Sequence, residues 1–254
     1  MNDIAVILPA YNEEEDVEEL VDKWQRHRQA LKESYNLTLR TILVNDGSSD
    51  KTKAIGEKLQ KNYDNFILVN HEKNKGLGMA VKSGIEYAIK NFPESKYVCI
   101  MDCDNTHDPK YIFSMLEKEK LTKADIVIAS RYEKGSSVKG LSLFRKTTCI
   151  GAKCVYSTIL KVTNVKDYTC GYRLYKRSIL EKLIEKFGEK IIEETGFTCM
   201  VEVLYKLYIC GAVFAEVPFE LRYDLKKGAS KMNVMKTSFN SIKFLITLKE
   251  KLNV

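Results

Sequence analysis

Asp102-Cys103-Asp104 stands directly after the apolar run Tyr97-Val98-Cys99-Ile100-Met101. Side chains at i and i+2 of extended chain leave the same face, so a buried strand ending this way puts two carboxylates together on the rim of a sheet. Paired hard oxygen ligands suit a divalent cation that is itself bound to diphosphate oxygens. Asp and Asn are also ordinary turn residues, so the pair needs company before it marks a site. In an open α/β sheet the ligand lies beyond the carboxyl ends of the strands. Three further segments hold such positions: Pro9-Ala10-Tyr11-Asn12-Glu13, Asn45-Asp46-Gly47-Ser48-Ser49-Asp50 and Ser130-Arg131-Tyr132. Their acidic, aromatic and hydroxyl groups would stack on or hydrogen-bond a base and ribose, and Arg131 would face phosphate. No GxxxxGK[ST] sequence occurs and no GxGxxG follows the first strand. Phosphate is therefore expected on metal and arginine rather than in a glycine cradle.

The elements that must carry these segments follow from the apolar pattern. Ile4-Ala5-Val6-Ile7-Leu8, stopped by Pro9, reads as a strand buried on both faces. Val17, Leu20, Val21 and Trp24 then recur at helical spacing behind an acidic first turn that complements the helix dipole. Ile42-Leu43-Val44 is a second strand, and its turn cluster can cap a helix over residues 51–62. Phe66-Ile67-Leu68-Val69 is a third strand. Ala80, Val81, Gly84, Ile85 and Ala88 line one face of the next helix, and Ile126-Val127-Ile128-Ala129 follows the run that ends in Asp102. This alternation predicts an α/β fold, a doubly wound and mostly parallel sheet with helices on both faces. From residue 141 the pattern is irregular: helices over 147–160 and 197–209, a loop over 167–171, and a strand over 213–223 that Pro218 places at an edge or bulge. A basic loop over 226–231 and an amphipathic helix over 235–252 close the chain. The expected organisation is one domain over residues 1–231 with a C-terminal helical extension over 232–254.

At 254 residues the chain can bury a full core, and its four prolines and 13 glycines leave no linker or repeat. The N-terminus has no basic n-region or long apolar h-region, so no signal peptide is expected. No stretch reaches the roughly 18 to 20 apolar residues needed to span a bilayer; residues 239–248 come nearest and are broken by Lys243. Seven cysteines without a CxxC pair argue for a reducing compartment and against structural zinc or disulfides. A net charge of +7 with 41 basic residues suits an anionic partner such as a nucleotide, a lipid phosphate or a membrane surface. Nucleic acid is not expected, since no recognisable binding motif is present.

Taken in order, with Asn74-Lys75-Gly76-Leu77-Gly78-Met79-Ala80 between the second and third members, these segments resemble the family 2 glycosyltransferases of the GT-A fold. Within that family the chain looks most like the dolichyl- or polyprenyl-phosphate mannose and glucose synthases, over about residues 4–231. The resemblance implies that Pro9, Tyr11, Glu13 and Asp46 contact base and ribose. It makes Asp102 and Asp104 the DxD motif, with Asp104 the more direct ligand of Mg²⁺ or Mn²⁺. Relatives usually read Asp-Ala-Asp-Leu-Gln/Ser-His where this chain reads Asp102-Cys103-Asp104-Asn105-Thr106-His107, so Thr106 takes the place of a metal-binding Gln or Ser. Arg131 would touch diphosphate. Leu143-Phe144-Arg145-Lys146 resembles the basic segment that opens the next helix in the lipid-phosphate synthases, which would put Arg145 near the acceptor phosphate; those enzymes usually carry a further Ser-Arg where this chain has Cys149-Ile150. Asp167 and Thr169, in Asp167-Tyr168-Thr169-Cys170-Gly171-Tyr172-Arg173, match the acceptor-side pattern, and Glu202 matches an acidic position of the family. Glu216-Val217-Pro218 with Gly228-Ala229-Ser230-Lys231 resembles the loop that closes over the donor, with Lys231 reaching phosphate and Arg222 nearby.

The expected activity is metal-dependent, inverting transfer of a hexose from a GDP- or UDP-sugar to a polyprenyl or dolichyl phosphate at the cytoplasmic membrane face. A lipid phosphate is already anionic and needs no base. A sugar hydroxyl in polysaccharide or glycolipid assembly would need a carboxylate to take its proton, and Asp167, Glu202 and Asp224 are the candidates. A non-catalytic scaffold subunit would keep the fold but not the acidic and basic positions, and a sugar-1-phosphate nucleotidyltransferase would want a Gly-rich loop after the first strand. The basic amphipathic tail suits either an anionic membrane surface or the domain's own flank.

Overall fold

Nine residues of almost unbroken apolar chain, Asn2–Ala10 (β1), run between two parallel neighbours through the middle of a seven-stranded sheet. The computed structural model describes residues 2–225 with Phe244, Leu245, Thr247, Leu248 and Glu250, and all their side chains but those of 143–146. After β1 the chain forms α1 (Val17–Arg26), α2 (Arg28–Tyr35), β2 (Leu37–Asn45), α3 (Thr52–Asn62), β3 (Phe66–Asn70), α4 (Leu77–Asn91) and β4 (Ser95–Ile100). Then come α5 (Tyr111–Thr122), β5 (Ile126–Ser130), β6 (Ser137–Lys139), α6 (Leu143–Leu160), β7 (Arg173–Lys176), α7 (Arg177–Phe187), α8 (Cys199–Ile209), β8 (Phe214–Pro218) and β9 (Glu220–Arg222).

The main sheet is ordered β3-β2-β1-β4-β7-β5-β8, with β6 and β9 forming a small second sheet. Every pairing in the main sheet is parallel except those of β7, which is antiparallel to both β4 and β5. The order runs outward from β1 through β2 to β3, then returns to β4 on the other side of β1. That reversal opens a crevice at the carboxyl ends of β1 and β4, where α/β sheets bind ligands. The loop carrying Tyr11 and Glu13 leaves one of these strands, and Asp102 and Asp104 follow the other.

The mostly parallel α/β architecture is the one expected, with three local differences. β7 and α7 fill a stretch read as irregular, because a four-residue strand is too short to show a period. α2 buries only Leu31, so it shows no apolar stripe. The late strand breaks at Pro218 into β8, at the sheet edge, and β9, which pairs with β6; the edge position fits a residue with no N–H to donate. Leu245 and Leu248 are buried in the domain core, so at these two positions the tail's apolar side chains face the protein itself. The basic loop and the rest of the terminal helix, including Lys231, lie outside the described residues.

Candidate active site

Burial alternates at the end of β4: Asp102 and Asp104 are partly exposed and Cys103 between them is 3% exposed. Burial pushes the Cys103 thiol well above its ordinary pKa, and the charges of Glu13, Asp104, Asp16 and Asp102 push it further. The charges of four carboxylates, two that follow β1 and two that follow β4, therefore act on one buried thiol. Thr106 donates to Asp104 Oδ1 from both its hydroxyl (2.6 Å) and its backbone N–H (3.2 Å). The hydroxyl thus orients the carboxylate of the metal-ligand candidate beside it. His107 Nδ1 lies 3.8 Å from Asp102 Oδ2, and the His107 ring stacks on Phe219 at 5.3 Å. Gly171 packs so closely that a Cβ there would come within 2.6 Å of Asp102 Oδ1.

Among the described residues no three His, Cys, Asp or Glu side chains form a complete metal site. Two carboxylates on an open rim nevertheless fit a cation of the Mg²⁺ type, which takes its other ligands from water and from substrate phosphates.

The loop after β1 is knitted to the loop after β2. Asn12 N donates to Ser48 Oγ (3.0 Å), Ser49 N to Asn12 Oδ1 (2.8 Å) and Glu13 N to Thr52 Oγ1 (2.9 Å). Tyr11 is 38% exposed at the crevice, and Pro9 is buried at the end of β1. Asp46 is buried instead of displayed. Its Oδ1 meets His71 Nδ1 (2.6 Å) and Lys75 N–H (3.0 Å), and its Oδ2 accepts from Gly76 N–H (2.8 Å). His71 is held from its other side by Ser83 Oγ at 2.9 Å. Asp46 therefore shapes the 71–76 loop that leads into α4.

The N-terminus of α4 is covered by protein. Gly78 N–H donates to Thr195 O (3.0 Å), and a Cβ on Gly78 would stand 1.8 Å from Glu194 O. The glycines of this segment thus admit a neighbouring loop, not a phosphate. Gly78→Ala is expected to cost about 1–3 kcal/mol or more, read as a lower denaturation midpoint with an unchanged m-value.

Arg131, at the end of β5, is fixed by a carboxylate 36 residues away. Its Nε and Nη2 donate to Asp167 Oδ2 (2.8 Å) and Oδ1 (2.6 Å), and Nη2 also donates to Thr169 Oγ1 (2.5 Å). Backbone N–H groups of Arg131, Thr169 and Cys170 complete the set on Asp167, whose side chain is fully buried. Burial alone would raise the Asp167 pKa, but the charge and hydrogen bonds of Arg131, with the charge of Arg173, outweigh it and hold the carboxyl below its ordinary range. Glu216 accepts from Lys166 N–H (2.7 Å) and Asp167 N–H (2.8 Å), and burial pushes its carboxyl up. Arg173 spends its guanidinium on the carbonyls of Tyr168, Cys170 and Met200, a scaffold role.

The structure does not bring every expected residue to the rim. Glu202 is 1% exposed. It pairs with Lys206 Nζ (2.6 Å) and accepts the N–H groups of Glu193 and Glu194, so it anchors the loop that covers α4. Arg222 reaches the loop after β4 through its backbone, donating N–H to Thr106 O (3.0 Å), while its side chain pairs with Asp224 (2.8 Å). The Arg145 side chain and Lys231 lie outside what is described. His71, Ser83 and Asn105 belong to the neighbourhood without having been singled out for it, while Glu216, read as part of the loop over the donor, instead anchors the backbone of Lys166 and Asp167.

The family description "Glycosyl transferase family 2" matches residues 5–184. A dolichol-phosphate mannosyltransferase of Pyrococcus furiosus is 30% identical over 246 residues, 96% of this chain and 63% of that protein. A polyprenol monophosphomannose synthase of Mycolicibacterium smegmatis is 28% identical over 229 residues, 90% of this chain and 80% of that protein. The chain therefore spans less than two thirds of the first relative's length. Among solved structures, a mannosyltransferase from Pyrobaculum calidifontis in complex with GDP-Man and Mn²⁺ superposes with a TM-score of 0.58 at 16% identity, covering 98% of this chain and 63% of that one. With the strand order, the rim carboxylates and these matches in hand, the chain belongs to glycosyl transferase family 2.

Proposed function

We propose that this protein is a metal-dependent, inverting hexosyltransferase that moves a sugar from a GDP- or UDP-hexose to a polyprenyl phosphate, working from the cytoplasmic face of a membrane. Family membership supports the nucleotide-sugar half of this reading, and the names of the dolichol- and polyprenol-linked relatives support the acceptor half.

The observation that carries the acceptor class is the state of the three candidate bases. Asp167 is paired with Arg131 at 2.6 Å, Glu202 with Lys206 at 2.6 Å and Asp224 with Arg222 at 2.8 Å. Each carboxylate is committed to a cation, and the first two are buried. A sugar hydroxyl needs a base to take its proton. A phosphate monoester is already charged near neutral pH and needs none.

In this reading Tyr11 and Glu13 flank base and ribose, with Pro9 and the Asp46-braced loop setting the wall behind them. Asp102 and Asp104 would hold Mg²⁺ or Mn²⁺, and Thr106 keeps the Asp104 carboxylate in one orientation. A bound divalent cation supplies positive charge against the diphosphate of the leaving nucleotide. Arg131, locked by Asp167 and Thr169, adds a preorganised cation that costs no reorientation during reaction. Arg145, Arg222 and Lys231 supply the positive charge that receives the acceptor phosphate or closes over the donor. The acceptor oxygen bonds to C1 as the bond from C1 to the diphosphate oxygen breaks, and the electron pair leaves with the nucleotide.

In this reading the protein meets the membrane at its surface; no helix of the described residues is long and apolar enough to cross a bilayer. Lys236, Lys243, Lys249 and Lys251 of the tail supply attraction to anionic lipid. The test is incubation with Mn²⁺, polyprenyl phosphate, an oligosaccharide acceptor and labelled GDP- and UDP-hexoses. Label in a phosphate-linked lipid is expected; label entering only the oligosaccharide would sink the proposal.

A further inference from the structure

We propose that Asn105 is a positioning residue that braces the metal loop against the start of α1, fixing the span between the base end and the diphosphate end of the donor site. The inference rests on the nucleotide-sugar reading above and adds to it a residue that the reading does not require.

Asn105 stands between Asp104 and Thr106 with φ +56°, a left-handed conformation that asparagine tolerates better than most residues. Its side chain turns inward and is 4% exposed. Nδ2 donates to Asp16 O (3.1 Å) and Asp16 Oδ1 (3.0 Å), and Oδ1 accepts from Lys23 Nζ (3.0 Å). The amide thus uses its donor nitrogen and its acceptor oxygen on two different groups of one helix.

Asp16 is itself 2% exposed. Its N–H and that of Val17 both return to Glu13 O, at 3.1 and 3.0 Å. A continuous path of hydrogen bonds therefore runs from the Tyr11–Glu13 loop through Asp16 to Asn105, the residue beside Asp104. Thr106 grips Asp104 from the far side. Charge points the same way. Asp16 is a buried acid, its Oδ1 met by the Asn105 amide, and the same amide holds the Lys23 ammonium, which also meets Glu19 at 2.9 Å.

The test compares the unaltered protein, Asn105→Gly and the exchange pair Asn105→Asp with Asp16→Asn. Glycine keeps the left-handed backbone and removes the brace; the exchange restores a donor-acceptor pair and a carboxylate for Lys23. Calorimetry with GDP and UDP, each with and without Mn²⁺, gives the gain in nucleotide affinity due to the cation. Loss of a group bonded directly to a metal ligand typically costs about 10- to 100-fold in metal affinity, and Asn105, which acts through the backbone beside Asp104, falls at the lower end of that range. Asn105→Gly is therefore expected to reduce the Mn²⁺-dependent gain by about tenfold while metal-free nucleotide binding holds, and the exchange pair is expected to recover it. An undiminished gain in Asn105→Gly, or a loss of metal-free binding in step with thermal stability, overturns the inference alone. An unaltered protein whose nucleotide affinity ignores Mn²⁺ overturns the nucleotide-sugar reading and the brace together.

Discussion

Replacing Asp104 by alanine is expected to lower sugar transfer by roughly a hundred- to thousandfold, the scale at which a lost electrostatic stabiliser of a leaving group is felt. The carboxylate is partly exposed and is held by Thr106, with donors at 2.6 and 3.2 Å. Its removal leaves the core under β4 intact, so the fold should survive; thermal unfolding checks this and should move by only about 1 kcal/mol. Asp104→Asn separates charge from shape. The amide oxygen can still accept from Thr106, yet the hard anionic ligand is gone, so transfer should fall nearly as far as in the alanine variant. Initial rates at saturating Mn²⁺, measured beside the melting curve, distinguish a lost ligand from a lost fold.

Asp167→Asn should be the more damaging change to the fold. Asp167 is fully buried and takes five hydrogen bonds, three from Arg131 and one each from Thr169 and Cys170. Breaking a buried pair by removing one partner strands the other charge, at about 3–5 kcal/mol. Melting should fall by roughly 10 °C for a chain of this size. The pH dependence gives a second signature. The folded-state pKa of Asp167 lies below the ordinary 3.8. Its contribution is therefore fully present above about pH 3.8 and is lost as pH falls through the lowered native value. The stability gap between unaltered and Asp167→Asn protein should be constant near neutrality and close only in acid. Transfer should also fall, because Arg131 loses the group that aims it.

Much of the fold could be read from the sequence because its first half consists of apolar runs that end in turn residues. β1, β2, β3 and β4 each follow that form, and strand ends are where an α/β sheet keeps its ligands. β7 was not readable: four residues, inserted antiparallel between β4 and β5, leave no periodic trace. The site divides the same way. Asp102 and Asp104 were legible from a spacing of two, whereas the Arg131–Asp167 pair joins residues 36 apart through tertiary packing. Glu202, matched to an acidic position of the family, reads as a candidate base. Yet its helix, Cys199–Ile209, is apolar on nearly every face, the mark of a buried helix, and Lys206 one turn on is the partner that lets both charges go inside. Asp46, in a polar turn cluster, looked displayed. Its real partners, His71 and Gly76, come from a loop that only the parallel crossover to β3 brings near.

An acceptor that arrives already charged is the point on which the chemistry turns, and one comparison isolates it. Transfer from a labelled nucleotide sugar should be measured side by side to a polyprenyl phosphate and to the matching polyprenol, which differ only in the phosphate. With Asp167, Glu202 and Asp224 each tied to a cation, transfer is predicted to the phosphate and not to the alcohol. Comparable rates to both lipids would mean that a protein group removes the hydroxyl proton, and would contradict the mechanism.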